Sequence, residues 1–149
     1  MKVFSENKKA EFNYTILEKF EAGIVLQGGE VKSIKEGKIS LSNSYIDFKN
    51  NEVFLIGSKI APYQPHNPSA EFKKDRERKL LLHKKQINYL IGKSQQKGMT
   101  IIPLKIYERG GKIKVEIALA KGKKKFDKKE KIKNRDRIRE IREELEKWG

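Results

Sequence analysis

The sequence predicts a mainly β fold, a small antiparallel barrel with one short helix early and one longer helix before the last hairpin. Two observations carry most of that reading. Alternating apolar residues flank Gly110-Gly111, and a second alternating pair flanks Lys49-Asn50-Asn51, so two hairpins are expected. Helical spacing within the body is confined to two stretches, after Gly28-Gly29 and after Leu80-Leu81-Leu82.

In chain order, Tyr14, Ile16, Phe20, Ile24 and Leu26 share even positions, whereas Leu17 and Val25 do not. One or two strands with a bulge fit this pattern, with Gly23 a candidate for the bulge. Val31, Ile34 and Lys35 then share a helical face, and Gly37 is placed to end that helix as its C′ residue. A helix so short needs strands to pack on. The first hairpin follows, with Tyr45, Asp47 and Lys49 on one parity and Ile46 and Phe48 on the other.

Residues 61–69 hold three of the four prolines and read as a surface loop. A charged run reaches Lys79, and Leu80-Leu81-Leu82 leads into a helix from about His83 to Gln96 with Ile87, Leu90 and Ile91 as its apolar stripe. Gly98 closes it. The second hairpin runs from Met99 to Ala120, with Ile113, Val115, Ile117 and Leu119 facing one way. Pro103 lacks an amide donor, which points to an edge or a bulge. A closed or partly closed barrel would satisfy the sheet edges, and an open sheet with helices on one face is the other economical solution. The barrel is favoured.

The chain of 149 residues carries a formal net charge of +15, more than solubility requires and of the sign that attracts RNA, DNA or an anionic membrane face. Cysteine is absent, so a disulfide framework and a thiolate zinc site are excluded. The start has no apolar leader, and no apolar run approaches membrane-spanning length, so secretion and membrane insertion are not expected. His66 and His83 are too isolated for a metal site. No nucleophile motif, Walker loop or dinucleotide loop occurs, so neither catalysis nor a cofactor is expected.

The expected organisation is one folded domain over 1–120 and a tail over 121–149. From Lys121 to Arg142 the chain holds twelve Lys or Arg against four Asp or Glu, a local net charge of +8. Its first part cannot form a core. Further on, Ile138, Ile141, Leu145 and Trp148 recur at helical spacing. Like-charged pairs, Arg135 with Arg139 and Glu140 with Glu144, oppose isolated helicity, so folding on a partner is expected. Phosphates would neutralise the cations with counterion release. A protein groove is the other partner considered, and the glutamates around the stripe argue against a membrane.

Several strings coincide with one family. Asn7-Lys8-Lys9-Ala10 followed by Tyr14, Glu21-Ala22-Gly23-Ile24, Gly28-Gly29-Glu30-Val31-Lys32-Ser33 and Arg78-Lys79-Leu80-Leu81-Leu82-His83-Lys84 resemble successive parts of it. So do the segment from Lys97 to Tyr107, Leu119-Ala120-Lys121-Gly122-Lys123-Lys124, and Asp127-Lys128-Lys129. Nearly end to end and in order, the chain resembles the SmpB family, the SsrA-binding proteins that partner transfer-messenger RNA.

The resemblance implies an OB-like antiparallel barrel and a non-enzymatic adaptor. Such a protein binds the tRNA-like domain of transfer-messenger RNA in the cytoplasm, one copy per RNA as a monomer, and delivers it to stalled ribosomes. The barrel takes the place of an anticodon arm, and the tail folds as a helix in the empty decoding centre and mRNA channel. Four positions depart from the family pattern: Phe12, Gly29, Phe126 and Lys129 stand where His, Thr or Ser, Tyr or His, and Arg are usual. Lys129 loses the planar two-point contact that Arg makes with phosphate.

Candidate contacts with transfer-messenger RNA are Asn7, Lys8, Lys9, Glu30, Lys32, Tyr45, Arg78, Lys79, His83 and Lys84. Glu30 would be repelled by phosphate, so it accepts from base amino groups, orients a neighbouring lysine, or merely caps its helix. Tyr45 is the best stacking platform among the tyrosines, although most strand aromatics are core residues. Arg76, Arg78, Lys79, Lys84 and Lys85 form a second positive patch, read as electrostatic help in docking. Candidate tail contacts with ribosomal RNA are Lys123, Lys124, Phe126, Asp127, Lys128, Lys129, Lys131, Lys133, Arg135, Arg137, Ile138 and Trp148. A ribosomal or initiation-factor-like protein docked on ribosomal RNA is the alternative.

Overall fold

A computed structural model of the chain describes residues 2–63 and 74–123. The tail residues from Lys124 to Trp148 named above therefore lie outside the described residues. Among the described residues, nine strands and three helices follow one another as β1 (Lys2–Glu6), α1 (Ala10–Asn13), β2 (Tyr14–Ile24), α2 (Gly28–Lys35), β3 (Ile39–Ser40), β4 (Tyr45–Lys49), β5 (Glu52–Ile56), β6 (Lys59–Ile60), β7 (Arg78–Leu81), α3 (Lys84–Ser94), β8 (Met99–Arg109) and β9 (Lys112–Gly122). No helix among them is long and apolar enough to cross a membrane.

Seven strands pair in the order β1-β8-β9-β2-β7-β5-β4, and β3 pairs separately with β6. All the pairings are antiparallel. The sheet curls, because β4 lies against β8 although four strands separate them in the hydrogen-bonded order. It does not close: among the described residues β1 and β4 remain its edges. The mainly β expectation with two embedded helices is met, and barrel closure is not.

Both expected hairpins form with left-handed turns. Asn50 and Asn51 have φ of 51° and 60° between β4 and β5, and Gly110 and Gly111 have φ of 60° and 75° between β8 and β9. These are the primed-turn conformations that match strand twist, and Asn and Gly tolerate them best.

The mixed parity of the first long strand has a clear cause, and it is not Gly23. Register shifts between Ile16 and Glu18, leaving Leu17 as the extra, 48% exposed residue. One inserted residue turns the even positions from one sheet face to the other. Ile16 therefore packs with Ala10, Ile102, Ala118 and Ala120, whereas Phe20, Ala22 and Ile24 join the main core. β8 does the same with a shift between Pro103 and Lys105, so Ile101 and Ile106 both face the main core despite opposite parity. Pro103 thus marks a bulge. Gly23 pairs with Leu81 on one side and Lys114 on the other, and a Cβ there would lie 3.2 Å from the Leu81 Cβ. Its role is close approach between strands.

Three other elements differ from expectation. Arg78–Leu81, read as a lead-in to the helix, is a strand inserted between β2 and β5. At the N-terminus, β1 pairs along β8 from Lys2–Glu108 to Glu6–Lys105, and α1 follows it. Neither had alternation strong enough to announce a strand or helix. The main core joins Ile34, Leu41, Val53, Leu55, Leu80 and Leu90 to the inner residues of β8 and β9. That packing places the α2 N-terminus beside β7.

Candidate nucleic-acid interface

Glu30 and Arg78 occupy one buried network. Glu30 is the third residue of α2, and its Oε1 accepts the Gln27 amide at 2.8 Å, which fixes the helix start. The same oxygen accepts from Arg76 NH2 at 2.5 Å. Oε2 accepts from Arg78 Nε at 2.8 Å and lies 2.7 Å from Arg78 NH2. A carboxylate offers about four lone-pair sites, and three hydrogen bonds with one further ion-pair contact engage both oxygens here.

Arg78 is equally committed. Its NH1 donates to Arg76 O at 2.8 Å and to Ser58 O and Oγ at 3.1 Å, and its NH2 donates to Lys74 O at 3.1 Å. Its side chain is 0% exposed, and Glu30's is 1% exposed. Arg78 therefore does not belong to a surface patch. Strand β7 turns it inward, where the guanidinium ties β7 to α2 and to the carbonyls of Ser58, Lys74 and Arg76. Burial alone would raise the Glu30 pKa, but the Gln27 amide and then the two guanidiniums hold it below the usual carboxylate range. Burial lowers the Arg78 pKa, and Glu30 opposes that shift.

The other candidates lie at the surface to different degrees. Lys32, exposed on α2, places its Nζ 5.2 Å from the Tyr63 ring centroid. Lys79, partly exposed, reaches Glu52 at 3.2 Å. His83 caps α3, and with Lys84 it is exposed at that helix's start. Tyr45 is 51% exposed on the edge strand β4, opposite Ile56, so it is a surface aromatic and not a core one.

Asn7, Lys8 and Lys9 gather at α1. Asn7 is fixed, its amide donating to Leu104 O at 2.7 Å and its Nδ2 to Pro103 O at 3.0 Å. Lys8 and Lys9 are exposed. Asn7 and Lys8 line a cleft of about 330 Å³ with Glu6, Glu11, Lys19 and Lys105. Lys123 pins the exit of the last strand here, its amide donating to Asn13 O at 3.1 Å and its Nζ to Glu11 O at 2.8 Å.

Sequence reasoning did not join Glu30 to Arg76, Arg78 and Ser58, which lie 28 to 48 residues away along the chain. One signal was available. An acid at the third position of a Gly-initiated helix faces back toward its own N-terminus, where a following strand must pack.

Fold and surface define a class first: a small, strongly basic β-sheet protein whose cationic side chains suit a polyanion. Comparison with known proteins makes it particular. The family model described as SmpB protein matches residues 4–147. The chain is 54% identical over 142 residues to an SsrA-binding protein of Acetivibrio thermocellus, covering 94% of this chain and 90% of that one. It is 52% identical over 146 residues to an SsrA-binding protein of Persephonella marina, covering 95% and 92%. A solved chain described as "tmRNA-SmpB: a journey to the center of the bacterial ribosome" matches with a TM-score of 0.67 and 44% identity, over 85% of this chain and 92% of that one. The chain belongs to the SmpB family.

Proposed function

We propose that this protein binds the tRNA-like domain of transfer-messenger RNA and delivers it to stalled ribosomes, as a cytoplasmic, non-enzymatic adaptor of trans-translation. The observation that carries the reading is near-full-length identity of about half to SsrA-binding proteins, in a chain with a net charge of +15. The likeness to a solved chain described with both transfer-messenger RNA and the ribosome supports the second partner.

In this reading the curled sheet acts as an OB-like body in the place of an anticodon arm. Lys8, Lys9, Lys32, Lys79, His83 and Lys84 contact phosphate and ribose, and Tyr45 stacks on an unpaired base. Asn7, Glu30 and Arg78 shape the surface that those residues occupy. The tail from Lys123 onward, with Lys124, Phe126, Asp127, Lys128, Lys129, Lys131, Lys133, Arg135, Arg137, Ile138 and Trp148, contacts the decoding centre and mRNA channel. One monomer serves one RNA.

Co-purification of the protein with sequencing of the bound RNA tests this. Recovery of one tRNA-like RNA is expected, and recovery of ribosomal RNA alone would contradict it.

A further inference from the structure

The geometry points to Arg76 as an RNA phosphate contact that Glu30 positions, so that the acid acts on RNA through this arginine and not by touching it. The inference rests on the RNA-binding reading above and names a residue that the sequence patterns place only in a general basic patch.

Three facts carry it. First, the Glu30 side chain is 1% exposed, and Gln27, Arg76 and Arg78 engage both of its oxygens. A base amino group reaching this carboxylate would have to displace a guanidinium. Second, Arg78 is fully enclosed with its donors engaged, whereas the Arg76 side chain is 23% exposed, so of the two guanidiniums paired with Glu30 it is Arg76 that reaches solvent. Third, Arg76 is held but not used up. Its NH2 donates to Glu30 at 2.5 Å and to Val25 O at 3.5 Å, its Nε is buried, and its NH1 makes one hydrogen bond, to Glu77 O at 3.2 Å, which leaves that nitrogen a second N–H for a phosphate. The Glu77 carboxylate does not neutralise it, because both oxygens accept from Lys49 Nζ at 2.8 and 2.9 Å.

A guanidinium fixed on one side by a buried carboxylate is already oriented, so less side-chain entropy is lost when a phosphate binds. Lys32, exposed on the same helix as Glu30, adds charge nearby. The partner this chemistry selects is a phosphodiester oxygen of the RNA backbone.

The test is a double-mutant cycle on RNA affinity, read by anisotropy at several salt concentrations with a labelled tRNA-like domain and, in parallel, an unrelated hairpin. Arg76→Ala should weaken binding about tenfold or more and flatten the plot of log K against log salt by about 0.7 to 0.9. Arg76→Lys should restore the slope but only part of the affinity. Glu30→Gln should weaken RNA binding in the wild-type background and add little once Arg76 is Ala. The partly exposed Arg76 keeps the test valid if the Glu30 variant folds poorly. Unchanged affinity and slope in Arg76→Ala would overturn the inference, as would an equal Glu30→Gln loss in both backgrounds. Wild-type protein showing no preference for the tRNA-like RNA would instead defeat the functional reading, and the Arg76 slope would still be read on the hairpin.

Discussion

A single carboxylate oxygen, Oε2 of Glu30, takes two contacts from Arg78, with Nε at 2.8 Å and NH2 at 2.7 Å, and both side chains are withdrawn from water. Taking two charges out of water is costly, and the pair is maintained because every remaining hydrogen-bonding site on it is satisfied. The pair joins the start of α2 to β7. Both the stability of the body and the shape of its cationic surface depend on it.

Removing one partner should therefore be severe. Glu30→Ala leaves a buried, uncompensated Arg78, and the expected loss is about 3–5 kcal/mol. Urea unfolding at neutral pH measures it. Lys79→Ala removes an exposed ion pair with Glu52 and should cost about 1 kcal/mol or less.

Acid should expose the same dependence. The Glu30 carboxyl is held below its ordinary value, so its stabilising contribution is complete above the unfolded-state value of about 4.3 and is lost as pH falls from there through the lowered folded value. Glu30→Gln should be less stable at neutral pH and should lose less on acidification. Denaturation midpoints at neutral pH and at about pH 3 check the sign. A wild-type acid slope no steeper than the variant's would contradict it.

Two glycines with similar backbones should respond differently. Gly37 and Gly57 have φ of 78° and 84°, so alanine costs each about 1–2 kcal/mol in backbone strain. A Cβ on Gly37 meets nothing within 4 Å, whereas on Gly57 it lies 3.0 Å from the Asn43 carbonyl oxygen. Gly57→Ala should lower the melting temperature clearly more than Gly37→Ala. Gly29, one of the departures from the family pattern, has open space with Tyr63 Cβ at 4.0 Å. Gly29→Ala should stabilise α2 by about 0.5–1 kcal/mol.

The tail should be separable from the body. Deletion after Asp127 should leave binding to transfer-messenger RNA largely intact and abolish tagging of stalled chains. Tagging by the shortened protein at the normal level would sink that division of labour.

The two hairpins were legible because Asn50-Asn51 and Gly110-Gly111 announce their turns locally, and the end of α2 was legible from Gly37, whereas α3 ends at Ser94 with Gln95 as its C-cap, ahead of the expected Gln96 and Gly98. Barrel closure was not, since it depends on whether β1 and β4 meet, and no local pattern encodes that. β7 stayed hidden because four residues with two charges carry little alternation. The parity conflict at Leu17 was visible as a conflict, but its resolution needed a second buried face under α1. Lys32, Tyr45, His83 and Lys84, named as candidates from the sequence pattern and the family resemblance, are exposed. Arg78 is not: a basic residue in a basic run reads as solvated, and only the tertiary placement of Glu30 brings it inside.

The measurement closest to the central claim is a competition titration of the full-length protein. Labelled tRNA-like domain of transfer-messenger RNA is bound at moderate salt and challenged with unlabelled copies or with an unrelated hairpin of equal length. The account predicts that the tRNA-like RNA competes at least about tenfold better, a difference of about 1.4 kcal/mol, and that binding weakens steeply as salt rises. Equal competition by the two RNAs would contradict it.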